Sequence, residues 1–164
     1  MAKLVQCIPN FSEGQNQEII NALVAVATSV PGVSLLDHSS DTSHNRSVFT
    51  LVGDPDGIAE VAFQLTKLAS EKIDMTKHKG EHPRMGATDV VPFVPVKDVT
   101  VEECIEISKK VAERINKELS IPVFLYEDSA SSPGRVNLAT VRKGQFEGMV
   151  EKLQQPEWAP DYGD

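Results

Sequence analysis

The first part of the chain changes from a short apolar run to an amphipathic helical pattern. Apolar side chains within residues 3–9 predict a first strand. Ser12, with Gln15 three residues later, fits a capping box, which satisfies free N–H groups at a helix start. The apolar stripe within residues 19–30 has helical spacing, and Pro31-Gly32 is expected to stop it. The pattern predicts a strand followed by a helix that Ser12 caps.

Two further predicted strands enclose a polar segment and lead into a second helix. Residues 33–36 and 46–53 favour strands, whereas residues 37–46 (D-H-S-S-D-T-S-H-N-R) are polar and are expected to form a solvated hairpin loop. Asp54 and Pro55 are typical of the N-cap and the first position of a helix. The buried stripe of this helix is expected to comprise Ile58, Val61, Ala62, Leu65, Leu68 and Ile73.

The fourth predicted strand, residues 89–96, contains two prolines. Because proline cannot donate a backbone hydrogen bond, Pro92 and Pro95 predict a sheet edge or a bulge. Thr100 and Glu103 form a second capping box at the start of a third helix. This helix is expected to extend to Leu119 and to bury Cys104, Ile107, Val111 and Ile115.

The pattern is weaker after the third helix. Residues 122–126 predict a fifth strand, and short helices are expected at 138–142 and 146–153. The order β-α-β-β-α-β predicts an α+β fold, a ferredoxin-like sheet with both helices on one face, extended by an αβ unit and a C-terminal helical tail. No predicted helix covers the other face of the sheet, so we expect a partner layer there.

Charge and composition limit the kind of partner. A formal net charge of −8 argues against nucleic-acid binding, which needs a basic surface. No apolar window approaches the ~18 residues of a membrane-spanning helix, and the N-terminus lacks the apolar region of a signal peptide. Cys7 and Cys104 indicate buried thiols in a reducing compartment rather than a disulfide scaffold. We therefore expect a cytoplasmic protein without nucleic-acid or membrane partners.

Titratable side chains are densest in residues 78–95 (H-K-G-E-H-P-R-M-G-A-T-D-V-V-P-F-V-P). The imidazole of His82 titrates near neutral pH and suits general acid or base catalysis. The alternative for one isolated histidine is a loop residue that caps local backbone groups. His78 and His82 also have the spacing of two metal ligands on a helix, but Gly80 and Pro83 disfavour a helix here. No metal is therefore expected.

The polar segment before the third strand offers a second candidate site. Asn45 and Arg46 are candidates for binding a carboxylate, because arginine pairs with carboxylates through a planar fork. The sequence has no phosphate-binding loop, dinucleotide-binding glycine motif or serine-hydrolase elbow. The residues alone thus indicate an α/β domain with a His/Arg/Asp site on loops, and they name no substrate.

Five segments of the chain match one known family. They are C-I-P-N-F-S-E-G at 7–14, H-N-R-S-V at 44–48, I-D-M-T-K-H-K-G-E-H-P-R-M-G-A-T-D-V-V-P-F-V-P at 73–95, V-F-L-Y at 123–126 and E-W-A-P-D-Y-G at 157–163. Together they resemble the N-terminal subdomain of the glutamate formiminotransferase family, which also occurs fused in formiminotransferase-cyclodeaminase. The match covers essentially the whole chain, and its long central segment is far more specific than a short motif.

The resemblance implies a folate-dependent formimidoyltransferase of histidine degradation and one-carbon metabolism. Family members transfer the formimino group of N-formimino-L-glutamate to tetrahydrofolate, their co-substrate, and related members exchange formyl groups with 5-formyltetrahydrofolate. The family's general acid/base corresponds to His82, and its folate-binding segment begins at Gly163, includes Asp164 and continues beyond the chain's end. The remaining candidates for substrate binding or for orienting His82 are Asn45, Arg46, Arg84 and Asp89. A structural salt bridge is the alternative for Arg84 and Asp89.

The resemblance further implies that residues 1–164 form one N-terminal subdomain, which packs its sheet against a second subdomain with the folate between them. Three alternatives stay open: a piece of a longer enzyme, a natural single-subdomain homologue, or one part of a two-chain enzyme. In the first two, transfer by this chain alone is expected to be weak or absent. The competing hypothesis is a non-enzymatic ferredoxin-like module that forms a homodimer through its open sheet face.

Overall fold

A computed structural model of the protein describes residues 3–43, 45–73, 75, 87–119, 121, 123–126, 149 and 160–162. Within these ranges an antiparallel sheet of six strands packs with three helices that are described from end to end. The elements are β1 (Leu4–Cys7), β2 (Asn10–Phe11), α1 (Gln17–Ala27), β3 (Val33–Asp41), β4 (Arg46–Gly53), α2 (Pro55–Lys72), β5 (Thr88–Val90), β6 (Phe93–Lys97) and α3 (Val101–Leu119). The predicted α+β class is confirmed.

The sheet is organised around β4. It pairs with β3 on one side and with β1 and β2 on the other, and every pairing is antiparallel. β1 and β2 lie in line along β4, separated at Ile8-Pro9, because Pro9 has no N–H for the ladder. The Phe49 N–H still donates to the carbonyl oxygen of Pro9 at 3.1 Å, so β4 continues past the break. β6 and β5 pair with β1 and β2 respectively.

The fourth predicted strand forms as two strands, β5 and β6. Val91 and Pro92 separate them, and the register of the β1–β6 pair shifts between Leu4 and Val5, which lies opposite Pro95. The prediction that Pro92 and Pro95 mark a sheet edge or a bulge is confirmed: β5 and β6 lie at the edge of the described sheet, and neither proline can donate to the neighbouring backbone.

One face of the sheet forms the apolar core with the helices. Alternate residues of β1 and β4 (Val5, Cys7, Phe49 and Leu51) are fully buried, and α2 packs across them between α1 and α3. The predicted stripe of α2 is confirmed at Ile58, Val61, Ala62, Leu65 and Ile73, while Leu68 is partly buried. The four residues predicted to face inward from α3 are all buried. Each large side chain of this kind contributes roughly 1.5–3 kcal/mol to stability.

Two of the three predicted helix caps are confirmed. The Asp54 side chain accepts a hydrogen bond from the Gly57 N–H at 2.8 Å, with Pro55 at the first helical position of α2. The Thr100 hydroxyl accepts one from the Glu103 N–H at 3.1 Å at the start of α3. Both caps are local in sequence, which makes them predictable.

The predicted cap of α1 is wrong. The N-cap is Asn16, whose side-chain oxygen accepts from the N–H groups of Glu18 (3.0 Å) and Ile19 (3.4 Å). Ser12 is buried, and its own N–H donates to the carbonyl oxygen of Ala87 at 2.8 Å. A contact distant in sequence thus holds Ser12, and the helix starts later. It also ends earlier than predicted, at Ala27.

Two further predictions need correction. Residues 37–41 belong to β3 and not to a loop, because β4 supplies pairing partners along their whole length. Leu36 has no partner residue on β4, since the register of the pair shifts between Leu35 and Asp37, and it is 60% exposed. The predicted fifth strand is reduced, in the described part of 122–126, to one antiparallel bridge between Val123 and Tyr162. The predicted tail helices at 138–142 and 146–153 lie outside the described residues except for Met149, which is helical.

The face of the sheet opposite the core includes Gln6, which has Val52 and Val94 as its neighbours on the adjacent strands. Val94 is 40% exposed and Val96 is 53% exposed. No helix among the described residues combines the length and the apolar character needed to cross a membrane.

Candidate functional site

Three segments of the chain meet beyond the apolar core. They are the loop residues 12–15 after β2, residues 41–43 and 45–46 at the turn of the β3–β4 hairpin, and Ala87, which precedes β5. We refer to these residues as the polar end of the sheet. Side-chain-to-backbone hydrogen bonds, together with the backbone hydrogen bond from Ser12 to Ala87, hold the polar end together.

Asn45 lies at the centre of these contacts. Its backbone has a φ of 50°, in the left-handed region that asparagine tolerates better than most residues. Its side chain is buried, with 7% of the residue exposed, and the carboxamide oxygen accepts a hydrogen bond from the Gly14 N–H at 2.8 Å. The turn of the hairpin is thereby bound to the loop after β2.

Gly14 allows this close approach. A Cβ at this position would lie 2.6 Å from the Arg46 nitrogen and would also overlap the carbonyl oxygen of Asp41. Only glycine fits here without moving the backbone of the hairpin. The next residue, Gln15, donates from its side chain to the Thr42 carbonyl oxygen at 3.0 Å and adds a second link.

Two serines extend the network into the sheet. The buried Ser47 hydroxyl donates to the carbonyl oxygen of Glu13 and lies 3.0 Å from the hydroxyl of Ser40 on the neighbouring strand. Below them, the Phe49 ring packs edge-on against Phe11 with centroids 5.4 Å apart, where the apolar core begins. The polar end therefore lies directly against the apolar core.

Ala87 directly follows residues 78–86, which contain His78 and His82 and are called the histidine-rich segment. Its carbonyl oxygen accepts the hydrogen bond of the Ser12 N–H at 2.8 Å and so ties the end of that segment to the polar end. Ala87 follows His82 by five residues in the sequence. Asp89 lies in β5, whose residues Thr88 and Val90 pair with β2. The chain that leaves the histidine-rich segment is thus fixed directly beside loop 12–15.

The structure brings some of the predicted site residues together. Asn45 and Arg46 both belong to the polar end, and Arg46 is partly exposed and forms no ion pair with another of the described residues. Asp89 is partly buried in the adjacent strand. Four predicted site residues, His82, Arg84, Gly163 and Asp164, lie outside the described residues. His78 also lies outside them.

The sequence prediction missed the structural role of residues 12–14. It assigned Ser12 to a helix cap, although Gly14 interrupts the segment before a second good capping residue, Asn16. A glycine between two capping candidates is a signal that the first one belongs to a loop with another partner. Ser47 gave no signal, since a serine in a strand is unremarkable in sequence.

Neither cysteine contributes a nucleophile to this region. Burial raises the pKa of the Cys7 thiol well above its usual range, and burial also raises the pKa of Cys104, with Glu103 adding to the effect. Both are therefore protonated at neutral pH and unreactive. In the part of the chain that the structure describes, no group of three or more His, Cys, Asp and Glu side chains is arranged to hold a metal ion.

A second set of contacts lies where the chain approaches Gly163. The N–H of Val123 donates to the Tyr162 carbonyl oxygen at 2.9 Å, and the Tyr162 N–H donates back at 3.2 Å. The carboxylate of Asp161 accepts a hydrogen bond from the Leu125 N–H at 2.6 Å. The residues that immediately precede Gly163 are thus fixed beside residues 123–125.

The described part of the site suits recognition more than proton transfer. Arg46 supplies a cation in a chain of net charge −8, beside amides and hydroxyls in fixed positions and the acidic residues Glu13 and Asp41. The guanidinium of Arg46 suits a ligand with a planar carboxylate.

Comparisons with known proteins identify the family. Residues 4–164 match the family model described as formiminotransferase domain, N-terminal subdomain. The chain is 75% identical, over all of its 164 residues, to glutamate formimidoyltransferase of Streptococcus pyogenes serotype M1 and covers 55% of that protein. It is 43% identical over 162 residues to glutamate formimidoyltransferase of Thermoplasma acidophilum, with 98% of this chain and 54% of that protein covered.

A fused relative gives the same result. The chain is 49% identical over 163 residues to formimidoyltransferase-cyclodeaminase of Mus musculus, and the match covers 99% of this chain and 30% of that protein. The chain spans about half the length of the two glutamate formimidoyltransferases and less than a third of the mouse protein. The match over residues 4–164 confirms the resemblance found in the sequence, and the chain belongs to the formiminotransferase domain family, in which it corresponds to the N-terminal subdomain.

Proposed function

We propose that this chain is the histidine-bearing part of a glutamate formimidoyltransferase. The whole protein transfers the formimino group of N-formimino-L-glutamate to tetrahydrofolate in histidine degradation, in the cytoplasm. The observation that carries the proposal is the 75% identity, over the entire chain, to a protein named glutamate formimidoyltransferase. A protein of the same name from Thermoplasma acidophilum, at 43% identity, supports it.

The proposed architecture is one ferredoxin-like subdomain over residues 1–164, completed by a second subdomain. The spatial order of the strands supports it: β5 and β6 lie at one edge, followed by β1 and β2, then β4, then β3. This is the order expected when two βαβ units interleave. The second subdomain packs on the open sheet face that carries Gln6, Val52 and Val94, with the folate between the two.

His82 is the proposed general acid/base. N5 of tetrahydrofolate attacks the formimino carbon, and a C–N bond forms to give a tetrahedral intermediate. N5 then loses its proton, and the bond to the glutamate nitrogen breaks as that nitrogen accepts a proton. One imidazole between the two nitrogens removes the first proton and delivers the second. The hydrogen bond from Ser12 to Ala87 supports this role, since it anchors the chain that follows His82 to the polar end.

The remaining candidate residues are proposed to bind the substrates or to orient His82. Arg46 pairs with a carboxylate of the glutamate moiety, supported by its partial exposure and by the lack of an ion pair to another described residue. Arg84 and Asp89 bind substrate or orient His82. Gly163 and Asp164 begin the folate-binding segment, and the anchoring of Asp161 and Tyr162 beside residues 123–125 supports a fixed direction for it. No metal takes part.

The test is a formimino-transfer assay on the full-length protein, or on this chain reconstituted with its second subdomain. Replacing His82 by alanine is expected to lower turnover by ~10²- to 10⁴-fold, the usual contribution of a positioned acid or base. His78→Ala is the matched control, because it removes a second histidine of the same segment, and it is expected to retain turnover. Unchanged turnover in His82→Ala would overturn the proposed role of that residue.

The second candidate function is a non-enzymatic module that self-associates through the open sheet face. The exposure of Val94 and Val96 on β6 is the observation that favours it. Such a module is expected to form a stable homodimer in sedimentation experiments and to give no heat on titration with tetrahydrofolate. Binding of folate together with transferase activity would exclude this second candidate.

A further inference from the structure

We propose that Asn45 is a positioning residue that locks the hairpin to loop 12–15 and thereby fixes Arg46 for substrate binding. The inference rests on the proposed transferase function. It assigns Asn45 to the support of the site and not to contact with the ligand.

The first observation is the way the Asn45 side chain is used. The residue is 7% exposed, and its carboxamide oxygen accepts the Gly14 N–H at 2.8 Å, so this oxygen faces the loop and not the solvent. The backbone φ of 50° also requires a residue that tolerates the left-handed conformation. Asparagine satisfies both requirements, since it supplies an acceptor and adopts this conformation.

The second observation is that Arg46 and Gly14 are packed backbone to backbone. A Cβ on Gly14 would lie 2.6 Å from the nitrogen and 2.9 Å from the carbonyl oxygen of Arg46. Any movement of loop 12–15 away from the hairpin therefore changes the surroundings of Arg46. The Asn45–Gly14 hydrogen bond joins the two segments directly beside this contact.

The third observation is the far end of the same loop. Ser12 donates to the Ala87 carbonyl oxygen at 2.8 Å, and Glu13 accepts from Ser47. Loop 12–15 thus contacts both the hairpin that carries Arg46 and the strand that follows the histidine-rich segment. The hydrogen bond that the Asn45 side chain accepts from Gly14 attaches this loop to the hairpin.

Two substitutions separate the functions of Asn45, and both are made in the full-length enzyme. Asn45→Gly keeps the left-handed backbone but removes the acceptor for Gly14. Asn45→Asp keeps an acceptor oxygen in the same place. Thr66→Val is the matched control, because it removes a buried hydroxyl that donates to the Ala62 carbonyl oxygen at 2.8 Å, on α2 and outside the polar end.

The readouts are kcat, the KM for N-formimino-L-glutamate, and the exchange rate of the Gly14 amide by NMR. Asn45→Gly is expected to raise KM about 10-fold and to change kcat by less than about 2-fold, the range expected for one hydrogen bond. Gly14 exchange is expected to accelerate by about 10-fold or more for the same reason. Asn45→Asp is expected to keep the Gly14 amide protected from exchange, because its carboxylate still accepts the hydrogen bond, and Thr66→Val is expected to leave KM unchanged.

Two results with Asn45→Gly overturn the proposal. An unchanged KM in Asn45→Gly, or a fall in kcat with KM unchanged, contradicts positioning through Arg46. If Asn45→Gly is too unstable to assay, Asn45→Asp decides alone, and loss of the protection of the Gly14 amide from exchange in that variant overturns the proposal. A wild-type enzyme without transferase activity defeats the proposed function instead, while Gly14 exchange still shows whether the lock exists.

Discussion

The two ends of β4 are held by different interactions. Phe49 and Leu51, further along the strand, are fully buried in the apolar core, where attraction depends on contact area and not on direction. At its start, Ser47 and the preceding residue Asn45 hold loop 12–15 by hydrogen bonds, which depend on distance and angle. The core end therefore sets the stability of the chain, whereas the polar end fixes the positions of Asn45 and Arg46, which are proposed to support and to bind the substrate.

The largest expected effect tests the core end. Leu51→Ala removes a fully buried side chain and is expected to lower the free energy of unfolding by about 3 kcal/mol, because it leaves a cavity. Urea denaturation of the purified variant measures the loss. Leu36→Ala is the control, since Leu36 is 60% exposed and is expected to change stability by less than about 0.5 kcal/mol. Equal losses in the two variants would contradict the assignment of the core.

The next effect tests the polar end. Gly14→Ala places a methyl group against the backbone of Asp41 and Arg46. It is expected to lower the free energy of unfolding by about 2 kcal/mol and to raise the KM for N-formimino-L-glutamate of the proposed transferase. Gly57→Ala is the matched control: its Cβ has its closest contacts at 3.0 Å or more, in the first turn of α2. A KM that rises equally in both variants would show that the effect is not specific to the polar end.

A smaller effect of opposite sign is expected at Thr88. Its hydroxyl is buried and, within the part of the chain that the structure describes, has no hydrogen-bond partner. Thr88→Val replaces this hydroxyl by a methyl group of similar shape and is expected to stabilise the chain by about 1 kcal/mol. Thr66→Val provides the contrast, because the Thr66 hydroxyl has a backbone partner and its loss is expected to destabilise. Thermal melts of both variants measure the difference. A destabilised Thr88→Val would show that the Thr88 hydroxyl has a hydrogen-bond partner and would contradict this prediction.

The smallest effect concerns the surface of the helical layer. A hydrogen bond from Arg114, which also stacks 3.7 Å over the Phe63 ring, lowers the pKa of Glu60. Because the two charged side chains are 41% and 37% exposed, Glu60→Gln is expected to cost only about 0.3–1 kcal/mol at pH 7.

The pH dependence of this pair has a defined sign. A carboxyl with a lowered pKa in the folded state contributes stability above its unfolded pKa and loses it as the pH falls through the folded value. The difference between wild type and Glu60→Gln is therefore expected to shrink once the pH falls below the ordinary glutamate pKa of about 4.3, and to vanish only below the lowered pKa of folded Glu60. Denaturation curves at pH 7 and pH 3 test this, and a difference as large at pH 3 as at pH 7 would contradict it.

The local features of the fold were predictable from sequence. Asp54 and Thr100 cap helices through contacts only three residues away, and the stripes of α2 and α3 follow from helical spacing. Residues 37–41 were not predictable as strand, because their polar side chains favour a loop and only pairing with β4 fixes them.

The site was predictable in part. Asn45 and Arg46 were candidates from their chemistry, but the role of Asn45 depends on Gly14, which is distant in sequence. The assignment of His82 depends on family resemblance, since a single histidine in a loop has no spacing that identifies it as catalytic.

The most direct test of substrate binding at the polar end is an NMR titration of the ¹⁵N-labelled protein with N-formimino-L-glutamate. The largest shift changes are predicted at the amides of Gly14, Asn45, Arg46 and Ala87, with those of α2 and α3 nearly unmoved. Changes centred on the two helices, with the amides of the polar end unchanged, would contradict it.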